Sequence, residues 1–161
     1  MSYKINRIVA NMVTGSVLFV AYIVHIMNNA PADGDLKGWA TLMLSFILIS
    51  VIALVTIQIV FHVIFAMSIS IRSRGRDDDN IERIIESSAA EDEMDKLIDL
   101  KSNLVGYASV CIGFIAVLIG FAFFDTAVAM AMNILLTAFV VGSLAEGGAK
   151  IFFYEVGVKN G

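Results

Sequence analysis

The chain has 161 residues, of which 58% are hydrophobic and 16% are charged, and its formal net charge is −4. This composition is far more apolar than that of a soluble domain, so it excludes an ordinary water-soluble fold and indicates that lipid is the solvent. The single cysteine, Cys111, excludes an intramolecular disulfide and is predicted to have a packing role within an apolar segment.

Four long windows of the sequence contain no Asp, Glu, Lys or Arg. A bilayer core roughly 30 Å thick requires about 20 apolar residues in a helix, and each window is long enough. Continuous apolar runs favour helices over the alternating strands of a barrel. The sequence therefore predicts an all-α integral membrane four-helix bundle that forms a single membrane domain. The spans are expected at about 8–28, 39–70, 103–124 and 127–154.

The first window follows Lys4 and Arg7, an arrangement that a secretory signal peptide shares. Its apolar stretch is longer than the core of a signal peptide, and the region around Pro31 is a weak cleavage site. The first window is therefore predicted to remain as a membrane helix, with cleavage as the alternative.

Short connections join the predicted helices in pairs. Residues 28–38 join the first two, with Trp39 at the outer membrane interface, and a tight turn around Asp125 joins the last two. This arrangement predicts two antiparallel helical hairpins connected by a polar link at residues 72–101.

The basic residues predict the orientation of the chain. All of the 11 Lys and Arg residues except Lys37 fall on one side if the four helices alternate across the membrane. Because cytoplasmic segments carry an excess of Lys and Arg, both termini and residues 72–101 are expected in the cytoplasm. The predicted location is the cell membrane, with multiple passes.

The polar link has apolar residues at helical spacing, which predicts one or two amphipathic cytoplasmic helices. Residues 77–79 are all aspartates and favour a helix start, and residues 91–101 are expected to run directly into the third span, since no Gly or Pro interrupts them. The acidic runs have no calcium-loop spacing, so they are interpreted as a solvated face, with divalent cation binding as the alternative.

Small residues recur at steps of three and four along the third span, and further small residues lie on the fourth. In lipid, close backbone approach through small residues is a main route to tight helix association. These residues are predicted to form a packing stripe within the chain, with a homodimer seam as the alternative. The stripe comprises Gly106, Ser109, Gly113, Ala116 and Gly120, facing Ala138 and Gly142.

Ionisable and polar groups inside the predicted spans are candidate functional residues, because they are costly in lipid. Gln58 and His62 lie four residues apart in the second predicted helix, and Glu146 and Lys150 in the fourth, so each pair shares one face of its helix. The depths of these residues predict a polar cluster in the inner half of the bundle. Two interpretations remain open: hydrogen bonding between helices, and a ligand or proton site. The candidates are Asn11, Gln58, His62, Tyr107, Glu146 and Lys150.

Cofactor motifs are weak in this sequence. His25 is expected near the outer end of the first helix and His62 in the inner half of the second, so one haem cannot easily join them within a chain. The sequence has no phosphate-binding loop, zinc pattern or nucleophile elbow, so no cofactor, no metal site and no catalytic residue are predicted.

Residues 92–103, followed by Gly106 and Tyr107, place an acidic and basic juxtamembrane segment directly before the third span. This segment, and the last helix from 133 to 154, resemble a family of small uncharacterised four-helix bacterial inner-membrane proteins. Met94 and Leu104 depart from the family pattern, which commonly has basic residues there. Members are often encoded beside small helix-turn-helix regulators, so the resemblance implies a role in sensing or regulation at the membrane.

These observations predict a non-enzymatic membrane protein that acts as a regulatory, sensing or accessory subunit. Its expected partners are the lipid bilayer and either a second copy of the chain or another membrane protein subunit, with no direct binding to nucleic acid. The alternatives are binding or transport of a small molecule, ion or proton through the inner-half polar cluster, and a haem or quinone redox subunit.

Overall fold

A computed structural model of the protein describes residues 3–32, 34–72 and 93–157. These residues form four helices: α1 (Tyr3–Asn29), α2 (Leu36–Arg72), α3 (Glu93–Phe123) and α4 (Val128–Val156). Each helix contains a segment long and apolar enough to cross a membrane, which confirms the prediction of four such helices. The helix start predicted at residues 77–79 lies outside the described residues.

The start of α2 lies before its predicted position at Trp39, because an aspartate caps the helix. The Asp35 carboxylate accepts a hydrogen bond from the Gly38 backbone N–H at 2.9 Å, which satisfies one of the free donors in the first turn. The helix therefore begins at Leu36. With 37 residues it extends to about 55 Å, well beyond the thickness of a bilayer core.

The connection between α3 and α4 is a tight turn, as the sequence predicts. Asp125 adopts a positive φ of 46°, a conformation that aspartate tolerates better than most residues. The Phe124 N–H donates to the Gly120 carbonyl oxygen at 3.0 Å. A Cβ atom at Gly120 would lie 2.7 Å from the Thr126 hydroxyl oxygen, so the turn can fold this closely onto α3 only because residue 120 is glycine.

Helix α4 is the central helix of the bundle. It contacts α3 most extensively, then α1, and α2 only over a short stretch, whereas α1 also contacts α2. Among the described residues, α2 and α3 do not come into contact. Of the α2 residues whose burial is described, only Trp39 and Met43 near its start are buried, so α2 presents most of its surface outward.

An aromatic cluster closes one end of the bundle, where α1 ends and where α2 and α4 begin. Its buried residues are Tyr22, Trp39, Met43 and Ala129. The Tyr22 ring meets the Phe46 ring edge to face, with 5.1 Å between the ring centroids. Such aromatic pairs contribute beyond the area that they bury, so this cluster fixes how the three helices meet.

A hydrogen bond within this cluster joins α1 to α4. The Tyr22 hydroxyl donates to Asn133 Oδ1 at 2.8 Å, and Tyr22 is only 3% exposed.

Tyr22→Phe is expected to lower the free energy of unfolding by about 0.5–1.5 kcal/mol, because Asn133 loses its donor. Tyr107→Phe is the matched control, since Tyr107 is 74% exposed and its substitution should change nothing. Denaturation of both variants in detergent, followed by circular dichroism, measures the difference; equal stabilities would contradict the expectation.

Candidate functional site: an ionic cluster at the start of α3

Helices α3 and α4 approach each other so closely that their backbones touch. A Cβ atom at Gly142 would lie 2.8 Å from the Gly106 carbonyl oxygen, and a Cβ atom at Gly106 would lie 3.2 Å from the Gly142 carbonyl oxygen. A Cβ atom at Gly113 would overlap the Cβ atom of Ala138. A larger residue at Gly113 or Gly142 would therefore push the helices apart, and this contact fixes the rotation of α3 against α4.

The remaining small residues of the predicted stripe are placed differently. Ser109 is partly buried near Gly142, but Ala116 is exposed. Val117 is buried at the next turn instead. The expectation that Ala116 belongs to the contact is therefore wrong.

The rotation of α3 turns Asp95 and Asp99 towards the bundle, whereas Glu93 stays exposed. Asp95 is only 8% exposed, and it forms an ion pair with Lys4 of α1. Its carboxylate also accepts a hydrogen bond from the Tyr154 hydroxyl of α4 at 2.9 Å. One carboxylate thus joins three helices, at the end of the bundle opposite to the aromatic cluster.

A second group of charges lies one turn further along α3. Lys150 Nζ lies 2.8 Å from Glu146 Oε1 within α4, and 3.1 Å from Asp99 Oδ1 of α3. The spacing of four residues predicts the contact within α4, but no pattern in the sequence indicates that Asp99 is also a partner of Lys150. We call the two groups together the ionic cluster, defined by Lys4, Asp95, Asp99, Glu146, Lys150 and Tyr154.

Four members of the ionic cluster are absent from the sequence-based candidates: Lys4, Asp95, Asp99 and Tyr154. For the two aspartates, the sequence favours a solvated acidic face before the third span. That interpretation is wrong for Asp95, which is buried on the same face as Ile98 and Ser102. The spacing Asp95, Asp99, Ser102 follows one helix face and is the signal that the sequence contained. The charge of these aspartates favours contact with solvent, and only the packing of α3 against α4 shows that this face points into the bundle.

The other predicted site residues lie partly on exposed surface and partly in the wall of a cavity. Tyr107 is 74% exposed, because it follows Gly106, which faces α4, and one residue turns a helix by about 100°. His62 is exposed on α2. Asn11 and Gln58 instead line a cavity of about 350 Å³ between α1, α2 and α4. Tyr107 therefore lies near the depth of Glu146, which packs against the preceding Gly106, but its side chain is exposed.

The two histidines are far apart along the bundle. The His25 ring lies against the Phe46 ring, with 5.7 Å between the ring centroids, at the end that holds the aromatic cluster. His62 lies sixteen residues after Phe46 on α2, which corresponds to about 24 Å of helix. One haem cannot span that distance. Within the described ranges, no three His, Cys, Asp or Glu side chains are grouped so that they could hold a metal ion.

Comparisons with known proteins return no similarity: no protein-family model matches the sequence, and no curated protein or solved structure matches the chain. The interpretation of the site therefore depends on its own geometry.

Proposed function

We propose that this chain is a multi-pass protein of the cell membrane, with both termini in the cytoplasm and two antiparallel hairpins. Among the described residues, the end of the bundle where α3 begins holds Lys4, Arg7, Lys96, Lys101 and Lys150. Lys37 lies beside Trp39 at the opposite end. An excess of Lys and Arg favours the cytoplasmic side, which supports this orientation.

The proposed function is that of a non-enzymatic regulatory, sensing or accessory subunit. The observation that carries it is the position of Asp95, which lies where the polar link enters α3 and contacts both α1 and α4. Because α3 is continuous from Glu93 to Phe123, a partner that moves the start of α3 also moves its membrane segment. In this proposal, the ionic cluster transmits a movement of the polar link to the helices of the bundle.

The outer side of the first turns of α3 provides a surface for a partner. Glu93 and Lys96 are exposed, while Asp95 and Ile98 face inward. The start of α3 therefore has charged side chains on its outer face, while its inner face contacts the bundle. The proposed partner is a second copy of the chain or another membrane protein subunit.

Crosslinking in native membranes, followed by purification and mass measurement, tests this function. The wild-type chain is expected to yield a dimer or a complex with a second protein. Lys96→Glu is expected to reduce the yield of that complex about tenfold, because reversing a charge at an interface creates repulsion. Lys37→Glu is the matched control, since Lys37 is also exposed but lies at the opposite end. A strictly monomeric chain, or an equal loss in both variants, would contradict the proposal.

A further inference from the structure

An open groove lies between the end of α1 and the first turns of α2, at the end of the bundle that holds the aromatic cluster. Its volume is about 540 Å³. Helix α1 contributes His25, and the residues at the start of α2 contribute Asp35, Lys37 and Thr41. The apolar segment of α2 begins at Leu36, so the groove lies at the depth where the headgroups of a bilayer are expected.

The groove contains an ammonium group and a carboxylate that do not pair with each other. Among the residues that the structure describes, no acidic side chain forms an ion pair with Lys37. One oxygen atom of Asp35, Oδ1, accepts the Gly38 N–H, and the other, Oδ2, has no hydrogen-bond partner in the described part of the chain. Both side chains are exposed, so a ligand that carries two opposite charges can bind them together.

The position of the Asp35 carboxylate is fixed before any ligand binds. Its hydrogen bond to the Gly38 backbone caps α2. A Cβ atom at Gly38 would overlap Asp35 Oδ2, so the carboxylate can lie over the first turn only because residue 38 is glycine. A group that is already held in place loses little conformational freedom when a ligand binds, which favours affinity.

The face of α2 that lines the groove changes from polar to apolar along its length. Lys37, Thr41 and Ser45 follow one another at steps of four residues, so they share this face over about 12 Å of helix. Ile49 and Ile52 continue the same face and are 50% and 65% exposed. A polar surface at headgroup depth that runs into an exposed apolar surface matches a molecule with a polar head and an apolar tail.

We propose that this groove binds a phospholipid whose headgroup carries a phosphate and a primary ammonium group. The phosphate contacts Lys37 and the His25 imidazole, which can donate a hydrogen bond, and the ammonium group donates to Asp35 Oδ2. The acyl chains lie along Ile49 and Ile52. A choline headgroup carries the same two charges, but its ammonium has no hydrogen to donate, so the carboxylate selects against it.

This inference does not depend on the proposed regulatory function. The groove lies at the opposite end of the bundle from the start of α3. Loss of the lipid should therefore leave the yield of the crosslinked complex unchanged, and loss of the complex should leave lipid binding unchanged.

Native mass spectrometry of the full chain in detergent micelles tests the inference. The probes are phosphatidylethanolamine, phosphatidylcholine and phosphatidylglycerol with identical acyl chains, offered at equal concentration. The wild-type chain is expected to retain phosphatidylethanolamine about two- to tenfold more than either of the other lipids, as one additional hydrogen bond supports. Free phosphoethanolamine should not displace the lipid, because it lacks the acyl chains.

Asp35→Asn should abolish the preference for phosphatidylethanolamine over phosphatidylcholine, because the amide keeps the helix cap but removes the negative charge. Glu155→Gln is the matched control, since it makes the same change at an exposed residue of the opposite end and should keep the preference. Lys37→Gln should lower the retention of both lipids, because both carry the phosphate.

Equal retention of phosphatidylethanolamine and phosphatidylcholine by the wild-type chain would overturn the proposal. An unchanged preference in Asp35→Asn, with its helix content confirmed by circular dichroism, would do the same. Stronger retention of phosphatidylglycerol would show that Lys37 binds an anionic lipid without Asp35, and displacement by free phosphoethanolamine would show that the groove takes a soluble zwitterion. Either result would overturn the assignment to this class of phospholipid.

Discussion

Gly142→Leu is expected to lower the free energy of unfolding by about 3 kcal/mol and to separate α3 from α4, since overpacking a close contact typically costs 1–3 kcal/mol or more. The first added atom would already lie 2.8 Å from the Gly106 carbonyl oxygen and 3.3 Å from the Val110 side chain. A backbone oxygen cannot move aside as a flexible side chain can, so the whole helix must shift. Denaturation of the purified protein in mixed micelles, followed by circular dichroism, gives this free energy.

Gly148→Leu is the control for this substitution, because it makes the same change in α4 where no atom lies within 4 Å of the added Cβ. Leucine is a better helix former than glycine, so this variant should be unchanged or up to about 1 kcal/mol more stable. Equal destabilisation by both variants would show that the chain is sensitive to any leucine in α4, and that the close contact with Gly106 is not the cause.

Asp95→Leu should destabilise the protein by about 2 kcal/mol, because it removes the acceptor shared by Lys4 and Tyr154 at a buried position. Lys4 remains 35% exposed and can turn towards solvent, which places the cost below that of a fully buried ion pair. The loss of this carboxylate should also weaken the attachment of the start of α3 to the bundle. Faster proteolysis near residue 93 would report this change directly.

Glu93→Leu provides the comparison for Asp95→Leu, since Glu93 is an exposed acidic residue two positions earlier in the same helix. It should change the free energy of unfolding by less than about 0.5 kcal/mol, as substitutions at exposed surface positions usually do. Tyr154→Phe combined with Asp95→Leu should cost less than the sum of the two single changes, because both remove the same hydrogen bond. Additive costs would show that Asp95 and Tyr154 act independently.

The local features of the site were predictable from sequence because they depend on spacing within one helix. Glu146 and Lys150 lie four residues apart, and this spacing predicts their contact. Gly106 and Gly113 indicated a close helix contact for the same reason. The partners supplied by other helices were not predictable. Asp99 reaches Lys150 across the α3–α4 contact, and no pattern within α3 indicates which residue of α4 will lie opposite.

The sequence by itself determined that the described residues form four helices suited to lipid, because helix length and apolar content depend on local residues and on the thickness of a bilayer core. It also determined the tight turn near Asp125. Only the tertiary structure decided that α4 is central, that Asp95 faces inward and that a cavity lies beside Gly15. The physical reason is that apolar helix faces are equally well solvated by lipid, so the neighbours of each helix are selected by shape and by pairing between polar groups distant in sequence.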